Sequence, residues 1–504
     1  MKASRSLYLQ FYNALFVIKS LLKKYQPLLI ISFFFWWYLS GLENLPHNFD
    51  EGIYLAKGNL MHQDQKPFRD FFFQQPPLYL YALQFFDLTP QKIFFFRLLS
   101  LVFACLSGIL VYRVSSYLAG RLAGAISLAL FMSSALQLHS LRAMPGSLML
   151  FLALLSIAVL IRRRKVTAGI TIFSGLCLAF SAQVKPLTIF WIIFPLLFFT
   201  FFMRNPRLLI FYLLSFALTS LLVTVFFIYD SEGGYLELLL IQAKRYTSKG
   251  GFANMQEIPA FKAMLDAKNI STAFAWNLNE HREVFFANPL SNGNSWLLLL
   301  VFFALFKLRA RKTLRLLIST IVFIAISCLF VWEPVWDHYF IQYLPFMAIS
   351  TSIIFRDSFW RKVLLIPVIL ISLNGLVNQR ISMIPEKNVI HTGIKGKPVL
   401  SFDPYINIVN EAAFACDLID PLSSYGKRNS DFFNTSRFFS RYHTSESDLL
   451  SCLKKNPATI YYIGQWFFWF LDEEILGHLS RVPSDLLIFQ SEIDRQEYLK
   501  LKKF

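Results

Sequence analysis

The polar stretch Asn48-Phe49-Asp50-Glu51-Gly52-Ile53-Tyr54 interrupts a very apolar sequence and continues through Lys66-Pro67-Phe68-Arg69-Asp70 to Gln75-Pro76-Pro77-Leu78-Tyr79. It directly follows the first apolar run. Two adjacent carboxylates at the end of such a run, with tyrosines, glycine and Pro-Pro close by, suit chemistry beside a membrane surface. We therefore take this stretch as the candidate site and the rest of the chain as its scaffold.

The composition is that of a membrane protein. Of the 504 residues, 55% are hydrophobic and 16% are charged, which is too apolar for an ordinary soluble protein. The net charge of +18 does not indicate a nucleic-acid partner, because the basic residues form short clusters between apolar runs. The five cysteines show no metal-ligand spacing, so the sequence predicts no metal site and gives a divalent cation no support.

Apolar runs of membrane-spanning length recur along the chain. They predict an all-α polytopic domain over residues 1–380 with eleven spans, at about 27–43, 93–118, 122–138, 147–161, 166–183, 187–203, 208–229, 295–306, 314–332, 339–355 and 363–380.

Lys and Arg concentrate in alternate loops, and this asymmetry predicts the orientation. The N-terminus is expected to be cytoplasmic. The loops 44–92 and 230–294 and the whole C-terminal segment are then extracytoplasmic, with residues 76–91 forming an interfacial helix rather than a span.

Residues 381–504 are more polar and contain short strand-like runs at 398–402 and 459–463, interleaved with helical patterns. We predict a small extracytoplasmic α/β domain. Cys416 and Cys452 both lie in this domain, on the oxidising side of the membrane, and the sequence leaves undecided whether they form a disulfide.

Asp50-Glu51 has two interpretations. In the structural one, Asn48 caps a helix whose first turn carries the two acids, which suits the helix dipole. In the functional one, the two carboxylates repel each other and lose hydration at the membrane boundary, so that one of them becomes a usable base. Tyr54 would then lie on the helical face of Asp50 and orient it.

An ordered set of motifs adds a resemblance. The chain resembles GT-C glycosyltransferases over roughly residues 27–355, above all the protein mannosyltransferase and aminoarabinose transferase branch. The segments that carry the resemblance are Asp50-Glu51 with Tyr54 and Gly58, Lys66 to Asp70, Gln75 to Tyr79, Phe96-Arg97-Leu98-Leu99-Ser100, Leu141-Arg142-Ala143-Met144-Pro145, Lys185-Pro186, and Asp337-His338-Tyr339-Phe340 with Pro345.

The resemblance implies an inverting enzyme that moves a sugar from a polyprenyl-phosphate donor to an acceptor hydroxyl on the extracytoplasmic face. The acceptor would be a lipid, a glycan or a protein. Asp50, with Glu51 beside it, would be catalytic. The positive charge for the departing phosphate would come from one or more of Lys185, Arg97, His338 and Arg142. Tyr339, next to His338, would also contact the donor.

These cations also have structural interpretations. Lys185 could snorkel beside Pro186, Arg97 could anchor a helix end, and His338-Tyr339 could belong to an interfacial aromatic belt.

The chain departs from the family pattern at Gly146, where many relatives carry an acid after the proline, and Asp70 is the nearest replacement. Because of this departure, one alternative is that the protein is a catalytically inactive relative that binds lipid. Another alternative is a transporter or flippase of lipid-linked glycans. We expect the protein in a bacterial cytoplasmic membrane, in contact with membrane lipids and without nucleic acid.

Overall fold

The computed structural model describes most of the chain, with gaps. It covers residues 25–45, 48–73, 75–84, 91–161, 166–247, 337–355, 358–383, 392–402, 404–417, 446–463, 473–490 and 492–501, and single positions between 278 and 324. The spans predicted at 295–306 and 314–332 lie outside the continuously described ranges.

In its continuously described ranges, the helical part contains thirteen α-helices. In chain order they are α1 Tyr25–Leu39, α2 Phe49–His62, α3 Leu78–Gln84, α4 Gln91–Ala119, α5 Arg121–Ser133, α6 Gln137–Leu141, α7 Gly146–Ile161, α8 Ala168–Val184, α9 Ile193–Leu197, α10 Pro206–Asp230, α11 Gly234–Thr247, α12 Leu344–Ile354 and α13 Ser358–Ser382.

Three helices in the described residues are long and apolar enough to cross a membrane: Ile93–Ala119, Pro206–Asp230 and Val363–Ser382. The second, α10, exposes an apolar surface that includes Leu214, Leu218 and Leu222. Such a surface suits contact with lipid, where the α-helix satisfies its own backbone hydrogen bonds. The protein is therefore a mostly helical membrane protein.

Two other predicted spans form helices of mixed type that are shorter than the three long ones. The helix predicted over 187–203 is continuous but irregular, because it begins as a 3-10 helix at Pro186–Ile192, continues as α9 and ends in a π-helical turn at Phe198–Phe202. Pro195 lies inside α9 and has no N–H to donate to the preceding turn, which accounts for the irregularity. Similarly, the span predicted at 339–355 begins as the 3-10 helix Asp337–Gln342 and becomes regular only at α12, where Pro345 occupies the first turn.

Buried polar contacts hold the helices together. The predicted span 122–138 ends early, at Ser133, and the amide of Gln379 on α13 donates to the carbonyls of Met132 (3.1 Å) and Ser134 (2.7 Å) there. Each carbonyl also accepts a second hydrogen bond, Met132 from the Tyr38 hydroxyl and Ser134 from the backbone N–H of Gln137, so both carbonyls at this helix end are fully paired. Gly375 lies so close to Ser133 that a Cβ would come within 2.1 Å of its carbonyl oxygen, so the two helices meet backbone to backbone.

The C-terminal segment forms a four-stranded parallel sheet of order β2-β1-β3-β4. Its elements are β1 Pro398–Ser401, α14 Pro404–Val409, β2 Ala413–Phe414, α15 Glu446–Lys455, β3 Ile460–Ile463, α16 Glu473–Leu479, β4 Leu487–Phe489 and α17 Glu492–Leu501. Parallel strands need crossover connections, and helices supply them here. Strands thus form at both runs where the sequence predicts them.

A disulfide joins Cys416 to Cys452 across a sequence separation of 36 residues. We expect Cys452→Ser to lower the free energy of unfolding of this segment by about 4 kcal/mol, because the cross-link restricts the unfolded chain. Chemical denaturation with and without a reductant measures the effect. Reduction should bring the unmodified protein to the stability of the variant and leave the variant unchanged. A stability of the variant equal to that of the oxidised protein would contradict the expectation.

Candidate active site

The first turn of α2 carries both acids. The side chain of Asn48 accepts a hydrogen bond from the backbone N–H of Glu51 at 3.0 Å, so the predicted N-cap is confirmed. Successive helical residues project about 100° apart. As a result, Glu51 is completely buried and Asp50 is half-buried.

Glu51 and Arg97 form a buried bidentate ion pair. Arg97 donates from Nε to Glu51 Oε1 at 2.9 Å and from Nη2 to Oε2 at 2.7 Å. The backbone N–H of Ala143, between α6 and α7, also donates to Oε1, at 2.6 Å. Burial alone would raise the pKa of Glu51, but the charge and hydrogen bonds of Arg97 and the Ala143 amide hold the pKa below its usual value. Glu51 is thus a fixed anion that joins α2, α4 and the α6–α7 connection.

The C-terminal segment reaches the same ion pair. The Tyr405 hydroxyl, on α14, accepts a hydrogen bond from Arg97 Nη2 at 3.0 Å. Beside it, a Cβ on Gly52 would lie 2.2 Å from the backbone nitrogen of Tyr405, so only glycine fits there. Two further bonds from Arg97 go to the backbone carbonyls of Leu42 and Glu43. With all of its hydrogen-bond directions engaged, Arg97 holds the helix that carries Asp50 against both parts of the protein.

Lys185 ends α8, with 5% of its surface exposed. Its backbone N–H donates to Ser181, and its carbonyl accepts from the Thr188 hydroxyl at 2.9 Å, so the turn begun by Pro186 is rigid. Burial lowers the pKa of Lys185 to about 8, against the upward effect of the Asp50 carboxylate. Asp50 and Lys185 therefore lie within electrostatic reach of each other.

A small cleft opens beside Lys185. It is lined by His139, Ser140, Met144, Gly146, Met149, Lys185, Ile341 and Gln342. A Cβ on Gly146 would meet no atom within 4 Å, so the position where many relatives carry an acid is open here. Arg142 lies next to the cleft, with Nη1 3.2 Å from Nδ1 of His139.

The other residues predicted for the site are Tyr54, Asp70, His338 and Tyr339. The Tyr54 hydroxyl donates to Gln75 Oε1 at 2.5 Å. Asp70 is partly exposed and accepts hydrogen bonds from Arg69 and from the backbone of Lys66, which makes it part of a surface turn. His338 and Tyr339 belong to the 3-10 helix that ends at the cleft, but their side chains lie outside the described residues. No group of three or more His, Cys, Asp or Glu side chains in the described ranges could hold a metal ion.

Four residues at or near the site were missed from sequence. His139, Ser140 and Gln342 line the cleft, and Tyr405 contacts Arg97. Gln342 follows the motif Asp337-His338-Tyr339-Phe340 by two residues, and this proximity was a usable signal. Tyr405 gave none, because it is 308 residues from Arg97.

No family model and no curated protein matches this chain. Among solved structures, the crystal structure of the Archaeoglobus fulgidus oligosaccharyltransferase, in complex with Zn and sulfate, is similar with a TM-score of 0.50. The match covers 86% of this chain and 67% of that one. The chain therefore shares the overall fold of that oligosaccharyltransferase. At 11% sequence identity the likeness concerns the fold alone.

Proposed function

We propose that the protein is an inverting glycosyltransferase that uses a polyprenyl-phosphate-linked sugar. The acceptor hydroxyl oxygen attacks the anomeric carbon of the sugar, and its proton passes to the Asp50 carboxylate. The bond between the anomeric carbon and the phosphate oxygen breaks, and its electron pair stays on the phosphate. A single displacement of this kind inverts the anomeric configuration.

One observation carries the proposal: a half-buried carboxylate, Asp50, acts electrostatically on a buried ammonium, Lys185, that lines a cleft. A base for the acceptor and a cation for the leaving phosphate are the two groups that this reaction requires. The fold comparison agrees, since an oligosaccharyltransferase is a sugar-transferring protein.

The other predicted residues take supporting roles in the proposal. Glu51 and Arg97 neutralise each other and hold α2, so we assign them to positioning rather than to chemistry. Arg142, with His139, borders the cleft and is a second candidate for the phosphate, as are His338 and Tyr339. We place the reaction on the extracytoplasmic face of a bacterial cytoplasmic membrane, with a lipid, glycan or protein as acceptor.

The direct test uses purified protein in lipid nanodiscs with polyprenyl phosphates that carry radiolabelled hexoses. Transfer of the label, or its release as free sugar with the inverted configuration, would support the proposal. A transporter would bind or move the donor with the bond to phosphate intact, and an inactive lipid-binding relative would bind it without turnover.

Lys185 should give the enzyme an alkaline limit. Burial lowers its pKa to about 8, and the charged form is the one that binds phosphate, so kcat/KM should fall as pH rises through about 8. The donor is a phosphodiester whose charge does not change in this range. Lys185→Arg, which stays charged, should keep its rate above pH 8, whereas Lys185→Ala should lose donor affinity and turnover at every pH. Kinetics of Lys185→Ala equal to those of the unmodified protein would mean that the ammonium only anchors the helix end.

A further inference from the structure

The amide of Gln342 is buried in the cleft wall without a hydrogen bond. Its side chain is 1% exposed, and neither Nε2 nor Oε1 has a partner among the described residues. Leaving a buried donor or acceptor unsatisfied destabilises the folded protein. Unpaired polar groups of this kind, facing a cleft, are typical of a binding site whose ligand supplies the missing bonds.

Ser140 provides a second polar group in the same wall. Its hydroxyl is also buried and directs its proton to Gln137, at 2.8 Å from the carbonyl oxygen and 2.6 Å from Oε1. Because the proton is used there, the Ser140 oxygen is left only the capacity to accept a further hydrogen bond. Lys185 lines the same cleft and supplies a cation beside these two neutral groups.

The chemistry of these groups distinguishes possible ligands. A phosphate has only acceptor oxygens at neutral pH, so it could satisfy Lys185 and the amide nitrogen but not the Gln342 carbonyl oxygen or the Ser140 oxygen. The Gln342 oxygen lacks a hydrogen-bond donor, and the Ser140 oxygen can take a further bond only as an acceptor, so an O–H or N–H group suits both. A sugar hydroxyl both donates and accepts, and two neighbouring hydroxyls match the two ends of a carboxamide.

We infer that Gln342, with Ser140, forms the subsite that recognises the hydroxyl groups of the donor sugar, next to the phosphate position at Lys185. This inference rests on the proposed function. It assigns donor selectivity to a neutral amide at the end of the 3-10 helix Asp337–Gln342, and it makes Gln342 a specificity-determining residue rather than part of the acid–base chemistry.

The test is Gln342→Met, which keeps the volume of the side chain and removes both polar atoms. Dissociation constants are measured for undecaprenyl phosphate without sugar and for undecaprenyl phosphate carrying mannose, glucose, galactose or N-acetylglucosamine. The variant should bind the sugar-free carrier as tightly as the unmodified protein does. Its affinity for the preferred sugar-bearing donor should fall about tenfold to a hundredfold, the loss expected for one or two hydrogen bonds in a desolvated site.

Thermal stability separates recognition from a structural role. Gln342→Met removes an unsatisfied buried amide, so the melting temperature of the empty protein should stay the same or rise. The matched control is Gln183→Met, because the Gln183 amide is also buried but its Nε2 donates to Ser220 and Thr224, and only its Oε1 lacks a partner among the described residues. The control should lower stability and leave the ratio of donor to carrier affinity unchanged.

Two results would overturn the inference. One is an unchanged ratio of donor to carrier affinity in Gln342→Met, which would mean that water occupies the amide. The other is a clear loss of thermal stability, which would mean that the amide is structural. Neither result touches the proposed function as long as the unmodified protein transfers sugar. Failure of the unmodified protein to transfer any sugar would instead refute the proposed function, and donor-selective binding by Gln342 could still be measured.

Discussion

If the protein transfers sugar as proposed, Asp50→Asn should lower the rate of transfer by about a hundredfold to ten-thousandfold, the usual range for loss of a general base. The amide has the shape of the carboxylate but cannot take the acceptor proton. Because Asp50 is half-buried in the first turn of a helix whose N-cap is Asn48, asparagine should fit without disturbing the fold. Single-turnover transfer by equal amounts of folded protein measures the effect.

The matched control for this variant is Asp64→Asn. Asp64 is exposed just beyond the end of α2 and has φ near 61°, a conformation that asparagine tolerates. The control should transfer sugar at the normal rate. If Asp50→Asn also retains a normal rate, Asp50 only favours the helix start, and the base is another residue.

At the next residue, Glu51→Gln should lower the free energy of unfolding rather than act directly on the chemistry of transfer. Removing one partner of a buried ion pair costs about 3–5 kcal/mol, because the other charge stays buried without compensation. Here Arg97 would keep its full charge at 1% exposure. We expect a large fall in the yield of folded protein and in the midpoint of denaturation in mixed micelles.

Two comparisons make this expectation specific. Tyr405→Phe removes only one hydrogen bond from Arg97, so it should cost about 1 kcal/mol. The double variant Glu51→Leu with Arg97→Met removes both charges and should recover much of the stability lost in Glu51→Gln. A stable Glu51→Gln protein without transfer activity would instead show that Glu51 takes part in the chemistry, as the resemblance allows.

Local patterns in the sequence were enough for the regular elements. The long runs of apolar residues at 93–118 and 208–229 correspond to α4 and α10 within one or two residues, because a lipid environment requires such runs to be helical. The run at 187–203 shows the limit. Its hydrophobicity predicts a span, but the effect of Pro195 on the helical hydrogen bonds depends on the packing around it, which hydropathy does not contain.

The candidate site was only partly predictable, because the sequence shows which residue types are present but not which distant residues they contact. The sequence identifies Asp50 and Lys185 as chemically suitable groups, and the structure places them in one electrostatic neighbourhood. It does not reveal that Glu51, adjacent to Asp50, is neutralised by an arginine 46 residues away. Long-range pairing of this kind leaves no periodic trace. An adjacent Asp-Glu pair therefore looks like two equivalent acids until the fold separates their environments.

The contact between Gly52 and the backbone of Tyr405 limits how such a protein could be rebuilt. If the C-terminal sheet were exchanged for that of another protein, the new segment would have to reproduce this contact to a fraction of an ångström. Even a single Cβ at position 52 would overlap the backbone of α14. The new sheet segment would also have to supply a hydroxyl that accepts the hydrogen bond from Arg97. A chimera joined near residue 380 takes Gly52 and Tyr405 from different parents, so it keeps this packing only if the incoming segment approaches Gly52 equally closely.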